Sequence, residues 1–212
     1  MKVEIVQHPL VLHKLTLLRD RRTESAIFRD LVEELVTLLA FEATKDLSTE
    51  RVEVTTPLSN TLGTKLLSPK PVIVPILRAG LGMLEGMSRL IPSAEIGFLG
   101  MVRDEATLKN RTYTNRLPSS LTGRHCFILD PMLATGGTLI SAINYLSALN
   151  VSRITVICLL ATPEGLLALD KTFSDKLIDI SIIIGALDEK LNENGFIVPG
   201  LGDAGDRLYG AV

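Results

Sequence analysis

Nine consecutive residues, Asp130-Pro131-Met132-Leu133-Ala134-Thr135-Gly136-Gly137-Thr138, gather a carboxylate, two glycines and two hydroxyls at a strand-to-helix junction. The apolar run Cys126-Phe127-Ile128-Leu129 enters this stretch and predicts a buried strand. Leu139, Ile140, Ala142, Ile143, Leu146 and Leu149 leave it at helical spacing. Gly136 and Gly137 allow backbone N–H groups to converge with no Cβ in the way. Thr135 and Thr138 add hydroxyl donors, and the free amides of a first helical turn favour an anion. Asp130, at the head of the loop, is placed to accept hydrogen bonds from sugar hydroxyls. A phosphorylated sugar suits this chemistry; a plain packing turn is the alternative. The pattern is neither a Walker A loop nor a dinucleotide-binding GxGxxG, because no Gly-Lys-Thr follows and the glycine spacing differs.

Three other stretches carry chemistry. Val72-Ile73-Val74-Pro75-Ile76-Leu77 predicts a buried strand that turns at Arg78-Ala79-Gly80 into a helix over 81–90. An arginine at a strand's end is expected to meet an anion, or a carboxylate in a structural salt bridge. Arg103-Asp104-Glu105-Ala106-Thr107-Leu108-Lys109-Asn110-Arg111 breaks all periodicity, which predicts either a solvated loop or a charged lid. The segment 194–206 is rich in glycine and predicts neither helix nor strand, but a loop whose backbone can approach a flat ligand and read its polar edge. His8, His13 and His125 stand alone and are assigned to packing and hydrogen bonding. No Ser/His/Asp triad or zinc spacing is legible.

These candidates need a scaffold, and the pattern supplies one. Further strands are predicted at 51–56, 94–102, 153–160 and 177–184, with helices from Leu139, from Pro163 to about Leu169, over 9–18 and from about Ala26. Thr23 or Ser25 could cap the last of these. Residues 57–71 read as a loop or hairpin. Strands alternating with helices predict an α/β fold, a parallel twisted sheet flanked by helices, with ligands outside the carboxyl ends of the strands. Arg78, Arg103 and Asp130 all fall at such ends. The 212 residues are read as one domain, 1–212, with an N-terminal helical element (1–50) and a C-terminal hood (190–212).

Composition narrows the function. A hydrophobic content of 46% with 22% charged residues excludes a disordered chain. The formal charge of −2 gives no global attraction for nucleic acid, and none is expected as a partner. The Arg19–Arg22 cluster, diluted by Asp20 and Glu24, is read as a solvated helix end or a subunit contact. No leader or membrane-length apolar run is visible, so a cytoplasmic location is expected. Cys126 and Cys158 lie in β-branched or apolar runs and are read as reduced core thiols.

The residues also resemble a family. Asp130 to Thr138 is similar to the phosphoribosyl-pyrophosphate (PRPP) loop of the uracil phosphoribosyltransferases, within the type I phosphoribosyltransferase class. Three further stretches resemble the same family in register: His8-Pro9-Leu10-Val11 with His13-Lys14-Leu15-Thr16, then 75–83, then 198–207. The resemblance implies that uracil and PRPP give UMP and diphosphate in pyrimidine salvage. It implies PRPP contacts at Arg78, Arg103, Asp203 and Asp130 through Thr138 (Pro131, Met132, Leu133, Ala134, Thr135, Gly136 and Gly137 between). Uracil contacts would be Ile197, Gly202, Asp203 and Ala204. Arg78, Arg103, Asp130 and Asp203 are the residues expected to act in the reaction, with Asp203 a candidate for the uracil N1 proton by location only. Mg²⁺ is implied as cofactor, held mainly by substrate oxygens and water rather than side chains. A homodimer or higher homo-oligomer, and GTP as an effector, belong to the same expectation. Two departures stand out: Tyr113-Thr114 where paired tyrosines are usual, and Phe196 where tyrosine is common. A phosphoribosyltransferase for another base, a nucleotide-sensing module, and an RNA-binding regulator on the same fold remain the alternatives.

Overall fold

The computed structural model describes residues 1–103 and 110–210, with side chains described outside 102–113. The chain runs β1 (Lys2–Ile5), α1 (Pro9–Arg19), α2 (Ser25–Ala43), β2 (Thr49–Thr55), β3 (Asn60–Leu66), β4 (Val72–Leu77), a 3-10 turn (Ala79–Met83) and α3 (Leu84–Leu90). It continues through β5 (Glu95–Ile96), β6 (Phe98–Arg103), β7 (Asn110–Arg116), β8 (His125–Leu129), β9 (Met132–Leu133), α4 (Gly137–Ser147) and β10 (Arg153–Ala161). The last elements are α5 (Pro163–Phe173), β11 (Asp179–Leu187), β12 (Lys190–Leu191), β13 (Ile197–Val198) and α6 (Ala204–Tyr209).

The main sheet has the order β1-β11-β10-β8-β4-β6-β7, with short β5 beside β4 and β9 beside β10. All its pairs are parallel except β6 with β7, which is antiparallel. The predicted parallel sheet flanked by helices is therefore present. Strand neighbours mostly alternate between two apolar layers, with a break at Leu159 and Leu160, which share one. In β8, Phe127 and Leu129 pack with α1, α2, α3 and α6, while Cys126 and Ile128 pack with α4 and α5. That two-sided burial is why the central strands read as unbroken apolar runs.

Several local expectations are corrected. The strand predicted at 94–102 is split at Gly97 into β5 and β6. The helix predicted from residue 81 begins as the 3-10 turn. Neither Thr23 nor Ser25 caps α2: its N-cap is Glu24, without a side-chain hydrogen bond, because the Thr23 hydroxyl instead donates to Leu17 O and closes the end of α1. Residues 2–5, where no strand is expected, form an edge strand on β11. The 194–206 segment is not wholly irregular. β12 and β13 pair within and just before it, and α6 starts at Ala204, where the Asp203 carboxylate accepts from the Asp206 amide at 2.9 Å. That Asp-to-Asp N-cap signal was hidden among glycines.

The remaining expectations have definite places. Residues 49–66 form a hairpin. His8 caps α1, accepting from the Leu10 amide, and His125 hydrogen-bonds Thr155 and stacks near Phe127, but His13 is exposed rather than packed. Both cysteines are buried free thiols, and burial pushes Cys126 up to about 12, so neither carries thiolate chemistry. Residues 104–109 of the predicted lid, and the side chains of Arg103 and Tyr113, lie outside what is described.

Candidate active site

The sheet order contains a switch point. From β4 the chain moves outward to β6 and β7; from β8 it moves the other way to β10 and β11. Adjacent β4 and β8 thus send their connections in opposite directions, and a crevice opens at their carboxyl ends. Arg78 leaves β4 and Asp130 leaves β8, so the two side chains flank that crevice.

Three adjoining hollows line it. The central one, about 250 Å³, is bounded by Arg78, Ala79, Asp130, Pro131, Met132, Asp203, Ala204 and Gly205. Toward α4 it adjoins a small cradle of about 60 Å³ formed by Asp130 and residues 132–139. On the other side lies a hollow of about 250 Å³ under the hood, where Met132 and Ala134 face Asn194, Gly195, Phe196, Ile197, Gly202, Asp203 and Ala204. Met132 borders all three, and Asp203 and Ala204 border two. Residues widely separated in sequence therefore meet around three hollows that share walls.

Local geometry explains each wall. Gly136 has φ +82° and is the N-cap of α4, a conformation that a side chain resists, and residues 135–138 line the cradle. The loop is held from behind by α5, since the Thr162 hydroxyl donates to Ala134 O at 2.8 Å while accepting from the Gly165 amide at 3.1 Å. On the β4 side, Gly80 sits against β8, where a Cβ would approach Leu129 O to 2.3 Å. The Leu77–Arg78 peptide is cis, and Arg78 is exposed to the crevice.

Electrostatics separate the two carboxylates. Asp130 is only partly exposed, and burial raises its carboxyl from 3.8 to about 7 against the opposing hydrogen bond from the Met132 amide. Asp203 is exposed, with one carboxylate oxygen engaged in capping α6. Arg78, Asp130, Asp203, the 131–138 loop and the hood residues Ile197, Gly202 and Ala204 are thus brought together as the sequence predicted. Arg103 ends β6 at the same edge of the sheet, judged by its parallel pairing with β4.

Met132, expected as a PRPP contact, walls all three hollows, and Asn194, which no site expectation includes, lines the hood. Within the arginine cluster, Arg21 and Arg22 are exposed at the end of α1, as expected of a solvated helix end, and Arg22 pairs with Asp20; Arg19 instead turns inward and forms a two-pronged ion pair with buried Asp188. Arg207 stacks over Phe28 at 4.4 Å and donates to the carbonyls of Leu18, Asp20 and Leu201. No periodicity rule links residue 19 to residue 188, so only the fold could reveal that pair.

A small glycine-turn cradle at the switch point of a parallel sheet, with a separate hood over it, is the arrangement of a phosphoribosyltransferase. The solved hypoxanthine-guanine phosphoribosyltransferase from Bacillus anthracis shares this fold, with a TM-score of 0.53, 14% identity, and coverage of 77% of this chain and 82% of that one. The AQ2163 protein from Aquifex aeolicus agrees far more fully, with a TM-score of 0.91 and 41% identity over 99% of this chain and 98% of that one. The uracil phosphoribosyltransferase family model matches residues 5–211. Proteins named uracil phosphoribosyltransferase from Beutenbergia cavernae and Kineococcus radiotolerans are 61% and 60% identical over the full length of both chains. The chain belongs to the uracil phosphoribosyltransferase family.

Proposed function

We propose that the chain transfers the phosphoribosyl group of PRPP to uracil, giving UMP and diphosphate. The observation that carries this assignment is the joining of the three hollows through Met132, with Asp130 between the cradle and Arg78. The cradle at residues 135–138 would take the 5′-phosphate through backbone amides and threonine hydroxyls. Asp130 would accept from the ribose hydroxyls, and Arg78 with Arg103 would face the diphosphate. Ile197, Gly202, Asp203 and Ala204 would present the hood's backbone to the polar edge of uracil. As diphosphate departs, positive charge grows at the ribose C1, and uracil N1 attacks the opposite face. No protein nucleophile is required, so the protein acts by positioning and electrostatics.

The central hollow sets one arginine against two carboxylates, so a polyphosphate enters it favourably with its charge already partly neutralised. That balance fits Mg²⁺ carried on substrate oxygens and water. Among the described residues no group of three or more His, Cys, Asp or Glu side chains could hold a metal ion. Bound with the substrate, Mg²⁺ would neutralise charge on the leaving diphosphate. No described helix is long and apolar enough to cross a membrane, and a cytoplasmic role in pyrimidine salvage accords with the proposed reaction.

A homodimer or larger homo-oligomer belongs to the same proposal. The β2–β3 hairpin is almost entirely exposed, with Leu58 96% and Leu62 63% accessible, and an isolated two-stranded hairpin is marginal in water. A second copy of the chain would cover it. Light scattering on Leu58→Lys/Leu62→Lys would show a smaller species than the parent; an unchanged mass would remove the hairpin from the interface.

The decisive assay is diphosphate release from PRPP and Mg²⁺ with uracil, cytosine, orotate or hypoxanthine, with and without GTP as effector. Release with uracil alone supports the whole assignment. Release with another base keeps the sugar site but overturns the hood's, and no release with any base removes the proposed reaction.

A further inference from the structure

Asp188 follows β11 directly, and its carboxylate is almost wholly buried, at 6% exposure. Burying a carboxylate is costly unless every lone pair is engaged. Here Arg19, the last residue of α1, closes on it with both terminal nitrogens, Nη1 reaching Oδ2 at 2.7 Å and Nη2 reaching Oδ1. The pair also does something beyond mutual neutralisation. Asp188 Oδ2 accepts from the Gly200 amide at 2.8 Å, and Arg19 Nη1 donates to the Gly200 carbonyl at 2.8 Å. Both polar atoms of one backbone residue are thereby held by a single ion pair.

Gly200 stands between the two halves of the hood. Ile197 lies three residues before it, and Gly202 through Ala204 begin two residues after it; both halves wall the same hollow. The far end of the hood is tied separately, by Asn192 Oδ1 accepting from the amides of Asn194 and Phe196. Neither Arg19 nor Asp188 lines any of the three hollows.

We propose, building on the assignment of the hood hollow to uracil, that Arg19 and Asp188 are positioning residues for the base. By fixing Gly200, the pair sets the separation of the two backbone stretches that read uracil's polar edge, and so makes α1 part of the specificity apparatus. The amide orientation within such a loop must hold to a few tenths of an ångström to match donors and acceptors. Lysine at position 19 keeps the charge but has no planar fork, and so cannot engage both carboxylate oxygens and the Gly200 carbonyl in the same way.

The test is steady-state kinetics on Arg19→Lys and Asp188→Asn, with thermal unfolding measured alongside. Phe196→Ala, which opens the hood wall directly, is run in parallel. The expected result for Arg19→Lys is a uracil KM raised about 10-fold or more, with the PRPP KM and the kcat at saturating uracil within about 2-fold, the signature of lost base binding. Discrimination between uracil and 5-substituted uracils should weaken in the same variant. A merely structural pair would instead lower the unfolding temperature and leave the KM ratio unchanged, or move both KM values together; either outcome overturns the proposal. Should Asp188→Asn fail to fold because it strands a partly buried cation, Arg19→Lys decides alone. If Phe196→Ala raises the uracil KM and Arg19→Lys does not, the positioning role fails while the base site stands. If neither variant moves it, the base-site assignment fails, and the positioning role with it.

Discussion

Replacing Asp130 by asparagine should stabilise the protein while damaging its activity. The side chain is partly exposed at the carboxyl end of β8, and burial lifts its carboxyl from 3.8 to about 7. A carboxyl that binds its proton more tightly when folded favours the fold at low pH, and this advantage is lost as pH rises toward 7. Above pH 7 the folded protein carries the full desolvation cost of the ionised group. At roughly 1.4 kcal/mol per pH unit, the ceiling is about 4 kcal/mol. Solvent reaching the carboxyl through the open crevice discounts this to about 2 kcal/mol. Asparagine keeps the oxygen that accepts from the Met132 amide and removes the charge. At about 2–4 °C per kcal/mol for a chain of this size, Asp130→Asn should unfold about 4–8 °C higher at pH 8.

The pH dependence is the stricter test. The gap between variant and parent should shrink steadily as pH falls from 7 to 4, since the parent regains its proton in the folded state over that window. Calorimetry at half-unit intervals from pH 4 to 8, without PRPP, measures it. In parallel, kcat/KM for PRPP should fall about 10- to 100-fold at pH 8, the loss of a charged acceptor for sugar hydroxyls. A variant less stable than the parent at pH 8, or a gap independent of pH, would refute the desolvation argument. Unchanged PRPP kinetics would remove Asp130 from the sugar site.

Gly80→Ala should destabilise by about 1–3 kcal/mol and raise the PRPP KM, because the new methyl meets Leu129 O at 2.3 Å and pushes the Arg78 turn off β8; denaturant titration and PRPP kinetics check both. Arg103→Ala should lower kcat at least 10-fold while shifting the unfolding temperature by no more than about 2 °C, and an equal loss of stability would make the residue structural. His125, pushed down from 6.5 to about 4 by burial and then by the Arg153 charge, is neutral in the fold and contributes stability that is lost as pH falls from 6.5 through 4. His125→Gln should therefore flatten the acid limb of the stability curve over that interval, seen by the same calorimetry.

Much of the fold was legible because the central strands obey simple rules. β4, β8, β10 and β11 are apolar on both faces, and each reads as a short unbroken run. The cradle at 130–138 was legible for the same reason a short motif is: its carboxylate, glycines and hydroxyls are contiguous. The hood was only half legible. Its glycines announced a loop, but they masked the Asp203 cap of α6, and nothing local marks Gly200 as the residue that two charges hold. Arg19 illustrates the limit well. Beside Asp20, Arg21 and Arg22 it looks like one more solvated charge, and only the packing of α1 beside the end of β11 turns it inward toward Asp188.

The two carboxylates of the crevice show why the site sits where local stability is sacrificed. Asp203 is exposed and locally useful, since it caps α6. Asp130 has no such structural return: its burial raises its proton affinity, and its deletion is expected to stabilise the chain. A selection for folding alone would remove it. Its position at the switch point, between a phosphate-sized cradle and Arg78, suits the proposed role, in which a sugar's hydroxyls complete its hydrogen bonding. The unfavourable charge is thus the strongest physical argument within this chain that the crevice is built around a ligand.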